Sequence, residues 1–182
     1  QEAARQQTIH IIGTTGLTVD QQQKIRDYAK QTVFVMSANF SIGVNVLLSL
    51  TEKVSRTLDT SYDIEIVEMH HRKKVDAPSG TALALGNAAA EGRKTELAKA
   101  GCFARKGHVG ERKTGEIGFA TLRGGDVVGD HTVIFATEGE RIELTHKASS
   151  RVIFAQGAVR AALWAKGKPP GLYSMRDVLG MG

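Results

Sequence analysis

The sequence predicts an α/β protein: the remnant of a parallel sheet, followed by an α+β unit with a mixed sheet and helices on one face. Three observations predict it. Residues 8–36 read strand, helix, strand with short loops between them, the pattern of a right-handed parallel crossover. A long amphipathic stretch occupies 42–58. Beyond residue 115, three apolar segments succeed one another through glycine-containing turns.

The elements follow in order. Residues 8–12 (TIHII) form a short buried strand running into the loop Gly13-Thr14-Thr15-Gly16. Residues 18–31 have helical composition, with Thr18 or Asp20 as the cap, and 33–36 is a second buried strand. In 42–58, Val46, Leu47, Leu50, Val54 and Leu58 recur at three- and four-residue spacing as one apolar stripe. Residues 64–69 alternate as a strand and deliver their end into His70-His71-Arg72-Lys73-Lys74. A helix over 81–90, rich in Ala and Leu, follows Pro78-Ser79-Gly80. The charged 91–115 segment is loop, or carries a short strand at 102–104. Strands at 116–122 and 127–136 are joined by Arg123-Gly124-Gly125-Asp126 as a hairpin-type turn, and 142–146 returns after Glu138-Gly139-Glu140. A helix over 152–165 and a short tail end the chain, and no internal repeat or low-complexity stretch is present.

Composition narrows the function classes. A hydrophobic content of 41% and a charged content of 24% in 182 residues fit an ordinary globular protein with one good core, or one core and part of another. The single cysteine, Cys102, cannot form an internal disulfide and has no metal-ligand spacing around it, which fits a reducing compartment. No run of 18 apolar residues and no signal peptide occurs, so the protein reads as cytoplasmic, without a membrane partner. The polar start, with no initiating Met, reads as a chain entered partway. The net charge of +5 fits small anionic ligands or a solvated basic surface; the basic residues lack interleaved aromatics, which argues against nucleic acid.

The densest chemical signal is EMHHRKKVDAPSGTA, 68–82. A strand end bearing imidazoles and ammonium groups runs into a helix start, and a helix N-terminus offers unpaired N–H groups and partial positive charge to an anion. Ser79 or Thr81 adds a hydroxyl donor. The whole suits a small ligand with more than one carboxylate. Taken alone, Ser79-Gly80-Thr81 reads first as a plain helix cap, and His70 and His71, as strand neighbours, point to opposite faces. A metal site at the paired histidines is not expected, because adjacent His cannot both ligate easily and no third ligand has suitable spacing. Arg151 reaches a carboxylate or simply starts a helix after Ser149-Ser150; Phe154 and Trp164 read as packing.

EMHHRKKVDAPSGTA resembles the signature of dihydrodipicolinate reductases. The likeness continues through GTTGLT (13–18), SANFSIGVN (37–45), GEIGFATLRGGDVVGDHTV (115–133) and GERIELTHKASSR (139–151). The resemblance implies a Rossmann-type domain holding NADH or NADPH, and a second domain that binds a cyclic dicarboxylate and assembles a homotetramer. On that pattern, 1–40 is the C-terminal remnant of the dinucleotide-binding domain. Residues 41–163 form the substrate-binding and oligomerisation domain, and 164–182 a tail returning toward the cofactor domain. The resemblance assigns His70 as catalytic acid/base and Lys74 as proton donor. It assigns His71, Gly80 and Thr81 to the substrate carboxylates, and Gly13, Thr14, Thr15, Ser37, Ala38, Asn39 and Phe40 to the nicotinamide end of the cofactor. Lys73 stands where better-known members carry His and keeps the positive charge.

One departure matters. A strand followed by G-x-G-x-x-G or G-x-x-G-x-x-G, the turn that seats a dinucleotide pyrophosphate, is absent. The expectation is therefore an N-terminally truncated reductase of 4-hydroxy-tetrahydrodipicolinate in lysine and diaminopimelate biosynthesis. The competing expectation, from a different class, is a non-catalytic dicarboxylate-binding and oligomerisation module.

Overall fold

The computed structural model describes residues 1–181. In chain order its elements are α1 (Glu2–Arg5), β1 (His10–Ile12), α2 (Val19–Ala29), β2 (Val33–Met36), α3 (Ile42–Thr57), β3 (Asp63–His70), α4 (Gly80–Gly92) and α5 (Leu97–Ala100). There follow β4 (Gly101–Cys102), β5 (Ile117–Arg123), β6 (Gly129–Thr137), β7 (Glu140–Ala148), α6 (Val152–Ala165), β8 (Gly171–Tyr173) and α7 (Met175–Leu179). They form two compact units, 1–45 with 151–182, and 46–150. The expected divisions fell at 40 and 163, whereas α6 clusters with the unit that holds the chain's first residues. Among the described residues, no helix is long and apolar enough to cross a membrane.

The first unit is built on a parallel sheet in the order β1-β2-β8. The crossover from β1 to β2 runs through α2, which Thr18 starts with a capping box: Thr18 Oγ1 accepts from the Gln21 N–H, and the Gln21 side chain accepts from the Thr18 N–H. β2 is central, and its branched and aromatic residues Val33, Phe34 and Val35 are buried. The third strand, β8, lies in the segment read from sequence as a plain tail. Its register with β2 (Phe34↔Leu172) is non-local pairing that three residues after two prolines do not announce. Val33, Val35, Phe40, Ala161, Ala165, Met175 and Val178 make the core of this unit.

The second unit carries a five-stranded mixed sheet in the order β4-β5-β3-β6-β7. β3 pairs parallel with β5 and antiparallel with β6. The expected hairpin between 116–122 and 127–136 is therefore wrong: those strands flank β3 instead of pairing with each other. Arg123–Asp126 has hairpin turn chemistry, but it arches over the end of β3, where the Gly124 N–H donates to the His70 carbonyl at 3.0 Å and the Arg72 N–H to the Gly125 carbonyl at 3.2 Å. A true two-residue hairpin joins β6 to β7 at Glu138-Gly139, with Gly139 at φ +85°.

Ile64, Ile66, Ile117, Phe119, Val133 and Phe135 face Ala82, Leu85 and Ala89 of α4 on one side of this sheet. The alanines of α4 reflect close approach, since a Cβ on Gly86 would lie 2.5 Å from the Phe119 ring. The apolar stripe of α3 is offset from the one read by periodicity. Val46 and Leu50 are exposed, while Leu47, Leu48, Val54 and Leu58 pack on the core and Thr51 and Ser55 are buried. Small polar residues occupy that line because Gly92 of α4 comes so near that a Cβ there would meet the Ser55 Cβ at 2.6 Å. The 103–116 segment is pinned by Arg112, which donates to Asp63 at 2.6 Å and Glu65 at 3.0 Å, and by Arg105, forked onto Glu65 at 2.9 Å for both bonds.

Within the first unit, a Cβ on Gly157 would stand 1.7 Å from the Phe40 carbonyl oxygen. Gly157→Ala is expected to cost about 1–3 kcal/mol, in the range of overpacked cores. It should lower the midpoint of urea unfolding; a midpoint equal to the unaltered chain's would contradict this packing.

Candidate active site

Alternation along β3 sends Ile64, Ile66, Glu68 and His70 to the same, helix-covered face, and all four are buried. The first two are core. The last two are polar, so the apolar lining of the sheet changes to a polar one at the carboxyl end of the strand. The neighbouring strands match it: His131 of β6 lies opposite Glu68, and Arg123 of β5 opposite His70.

Glu68 is 1% exposed and ionised. Burial pushes its carboxyl upward, but the Arg123 guanidinium, His70 and the Ser79 N–H together hold it below the ordinary carboxylate range. Both oxygens are fully engaged. Oε1 accepts from the Ser79 N–H at 3.0 Å and Arg123 Nη2 at 2.9 Å; Oε2 accepts from Arg123 Nη1 at 2.8 Å and meets His70 Nδ1 at 2.6 Å. Arg123 Nη2 also donates to the Asp76 carbonyl at 2.7 Å, so one guanidinium fixes both the carboxylate and the loop after His70.

Ser79 is the cap of α4: its Oγ accepts from the Ala82 N–H at 3.1 Å. The same oxygen lies 3.0 Å from Nε2 of His131, which is neutral at pH 7. Its pKa is pushed down from 6.5 to about 4 by burial first, then by His70, whose ring lies edge-on at 5.1 Å.

Of the residues singled out in 68–82, His70 and Ser79 are joined through Glu68, which meets the imidazole with one oxygen and accepts from the Ser79 N–H with the other; Gly80 and Thr81 follow Ser79 in the first turn of α4. A Cβ on Gly80 would meet nothing within 4 Å, so the helix start is open there. His71 is half-buried where β3 ends. Lys74, with a side chain 20% exposed, pairs with Asp76 at 2.8 Å and is among the charges that oppose protonation of His131. Among the described residues, no group of three or more His, Cys, Asp or Glu side chains is placed to hold a metal ion.

In the first unit, a cleft of about 250 Å³ opens at the carboxyl ends of β1 and β2, lined by Thr14, Thr15, Ser37 and Ala38 with Gly16, Leu17, Gln22 and Met36. Ligands of doubly wound sheets bind at this end of the strands. Gly13, Asn39 and Phe40 do not line it. The Phe40 ring is buried in the core, 3.5 Å from where a Gly13 Cβ would stand, and Asn39 Oδ1 accepts from the Ser41 N–H at 2.8 Å.

Sequence reasoning missed Glu68, Arg123 and His131 as site residues. A signal existed for two of them: Glu68 and His131 each interrupt an inward-facing apolar series, at the same end of two strands.

His131 makes stability depend on pH. The unfolded chain protonates it near 6.5, the folded chain only near 4. The unfolded state therefore binds more protons between those values, and stability must fall as pH drops from 6.5 to 4, by up to about 3 kcal/mol from this group. His146, also pushed down by burial, adds in the same direction. His131→Gln should flatten the pH dependence of the urea midpoint over this window; an unchanged slope would contradict the assignment.

The chain resembles known proteins along nearly its whole length. The family model for the N-terminus of dihydrodipicolinate reductase matches residues 1–40, and that for its C-terminus matches residues 43–179. A 4-hydroxy-tetrahydrodipicolinate reductase of Rhodopseudomonas palustris (strain TIE-1) is 61% identical over 180 residues, 99% of this chain and 66% of the relative. One from Beijerinckia indica subsp. indica is 60% identical over 180 residues, with the chain again covering 66% of its length. The solved structure of a dipicolinate-bound dihydrodipicolinate reductase from Paenisporosarcina sp. TG-14 superposes with a TM-score of 0.77 at 25% identity, covering 96% of this chain and 66% of that one. The chain thus spans just under two thirds of these relatives, and it belongs to the dihydrodipicolinate reductase family.

Proposed function

We propose that the protein is a reductase that moves a hydride from NADH or NADPH to a cyclic dicarboxylate, 4-hydroxy-tetrahydrodipicolinate, giving tetrahydrodipicolinate for diaminopimelate and lysine synthesis in the cytoplasm. The observation that carries this reading is that Glu68 ties His70 to the start of α4 at one strand end, with the charge of Lys74 near enough to act on His131. That combines proton donors with a grip for carboxylates.

The residues divide the work as follows. The amides at Gly80 and Thr81, with the Thr81 hydroxyl and His71, hold the two carboxylates at the positive end of α4. His70 and Lys74 supply and stabilise the proton that must follow reduction of an imine-type ring. Thr14, Thr15, Ser37 and Ala38 line the cleft for the nicotinamide end of the cofactor, with Gly13, Asn39 and Phe40 shaping the loops around it. When bound, the dihydronicotinamide supplies the hydride. Dipicolinate, the ligand named for the Paenisporosarcina relative, is a planar dicarboxylate of the class this site suits.

The assembly proposed is a homotetramer, built on the sheet face opposite α4. Val67 and Met69 of β3, Ala120 and Leu122 of β5 and Ile134 of β6 point to that face by register, and Leu122 is 50% exposed. Such a face suits sheet-to-sheet pairing of copies. Leu122→Lys is expected to dissociate the assembly in light scattering, while an unaltered protein that is monomeric at micromolar concentration would refute it.

In the full protein, His70→Gln and Lys74→Ala should each lower kcat by roughly 10²-fold or more, the usual weight of a general acid. Circular dichroism should stay that of the folded protein. Turnover is followed by loss of reduced-nicotinamide absorbance; normal turnover in the double variant would refute these roles.

A further inference from the structure

We infer that Glu68 is a positioning residue: it dictates which nitrogen of His70 is available for proton transfer, and Gly129 provides the clearance into which that nitrogen projects. The inference rests on the reading of His70 as the acid/base group, and its test separates the two.

An ionised carboxylate only accepts hydrogen bonds. Glu68 Oε2 stands 2.6 Å from His70 Nδ1, so Nδ1 carries a proton whether the ring is neutral or charged. Nε2 is then the one nitrogen that can gain or lose a proton without breaking this bond. The carboxylate has no freedom to release the ring. Arg123 forks across both oxygens, at 2.8 and 2.9 Å, and the Ser79 N–H holds Oε1 from the start of α4. The orientation of His70 is thus set jointly by β5 and by the helix that offers its amides to the anion. The partner of an imidazole sets its tautomer by this same logic in other acid/base pairs.

The opposite side of the ring is equally defined. A Cβ on Gly129 would lie 2.9 Å from His70 Nε2 and 3.3 Å from its Cδ2, so β6 leaves room beside Nε2 only because residue 129 has no side chain. Glu68 holds the ring from Nδ1, and Gly129 keeps Nε2 unobstructed. A purely structural ion pair between Glu68 and Arg123 accounts for neither the short bond to Nδ1 nor the glycine beside Nε2.

The test is long-range proton–nitrogen NMR on the ¹⁵N-labelled 182-residue chain, at a pH where its histidines are neutral. His70 is expected wholly in the Nδ1–H form. In Glu68→Gln the carboxamide oxygen serves Ser79 and Arg123, its NH₂ faces Nδ1, and the ring switches to the Nε2–H form. An Nε2–H ring in the unaltered chain, or no change of tautomer in the folded variant, overturns the inference. If Glu68→Gln does not fold, the tautomer of the unaltered chain still decides. Gly129→Ala should keep the Nδ1–H form. In the full protein, Gly129→Ala and Glu68→Gln should each lose kcat by roughly 10²-fold with KM little changed; activity retained in both overturns the positioning role. Normal turnover in His70→Gln would instead defeat the acid/base reading while leaving the tautomer result standing.

Discussion

The second unit is organised around one buried carboxylate. Moving Glu68 out of water costs several kcal/mol unless its charge and all its lone pairs are met, and four donors from three elements meet them. Each donor is thereby constrained. Arg123 must sit opposite His70 on the strand parallel to β3. Ser79 must present its N–H at the first turn of α4, and the imidazole must turn its Nδ1 inward. Remove the carboxylate and a guanidinium with 20% of its side chain exposed is left facing a strand end without its counter-charge. The geometry of the proposed chemistry is in this sense a by-product of satisfying one charge.

The strand order makes the arrangement possible. Were β5 and β6 hairpin partners, β3 would be an edge strand and its end would be open to solvent. With β3 between them, the Arg123–Asp126 arch crosses its tip, and the polar ends of three strands converge where the apolar core of Ile64, Ile66 and Val133 stops.

What the sequence revealed and what it hid follow from range of interaction. The β1–α2–β2 crossover, the caps at Thr18 and Ser79 and the motif 68–82 are written in residues close along the chain, where periodicity and turn chemistry operate. Glu68 with Arg123, and Ser79 with His131, are separated by 55 and 52 positions; only the register of the sheet joins them. The same blindness explains β8, a three-residue strand with no local signature, and the α3 stripe, where Ser55 is buried because a glycine of another helix comes close. Local propensity chose the wrong partner for the Arg-Gly-Gly-Asp turn because turn residues state that the chain reverses and not which strand it reverses beside.

The two units share a construction, and the contrast between them is informative. In each, a strand of a parallel pair ends, a short loop follows, and a hydroxyl residue starts a helix, so that helix amides lie near the strand's carboxyl end. In the first unit Thr18 closes its cap with Gln21 on an exposed surface, using only its own turn. In the second, Ser79 is 2% exposed, caps Ala82, shares a hydrogen bond with His131 through its hydroxyl and gives its amide hydrogen to Glu68. A self-contained cap leaves its loop free to adjust to a ligand. A cap tied into two other strands cannot adjust without breaking buried hydrogen bonds, each worth about 1–3 kcal/mol when a partner is lost. Buried ties are therefore concentrated at the end of β3, where the proton transfer is proposed, and the self-contained cap lies beside the cleft of β1 and β2.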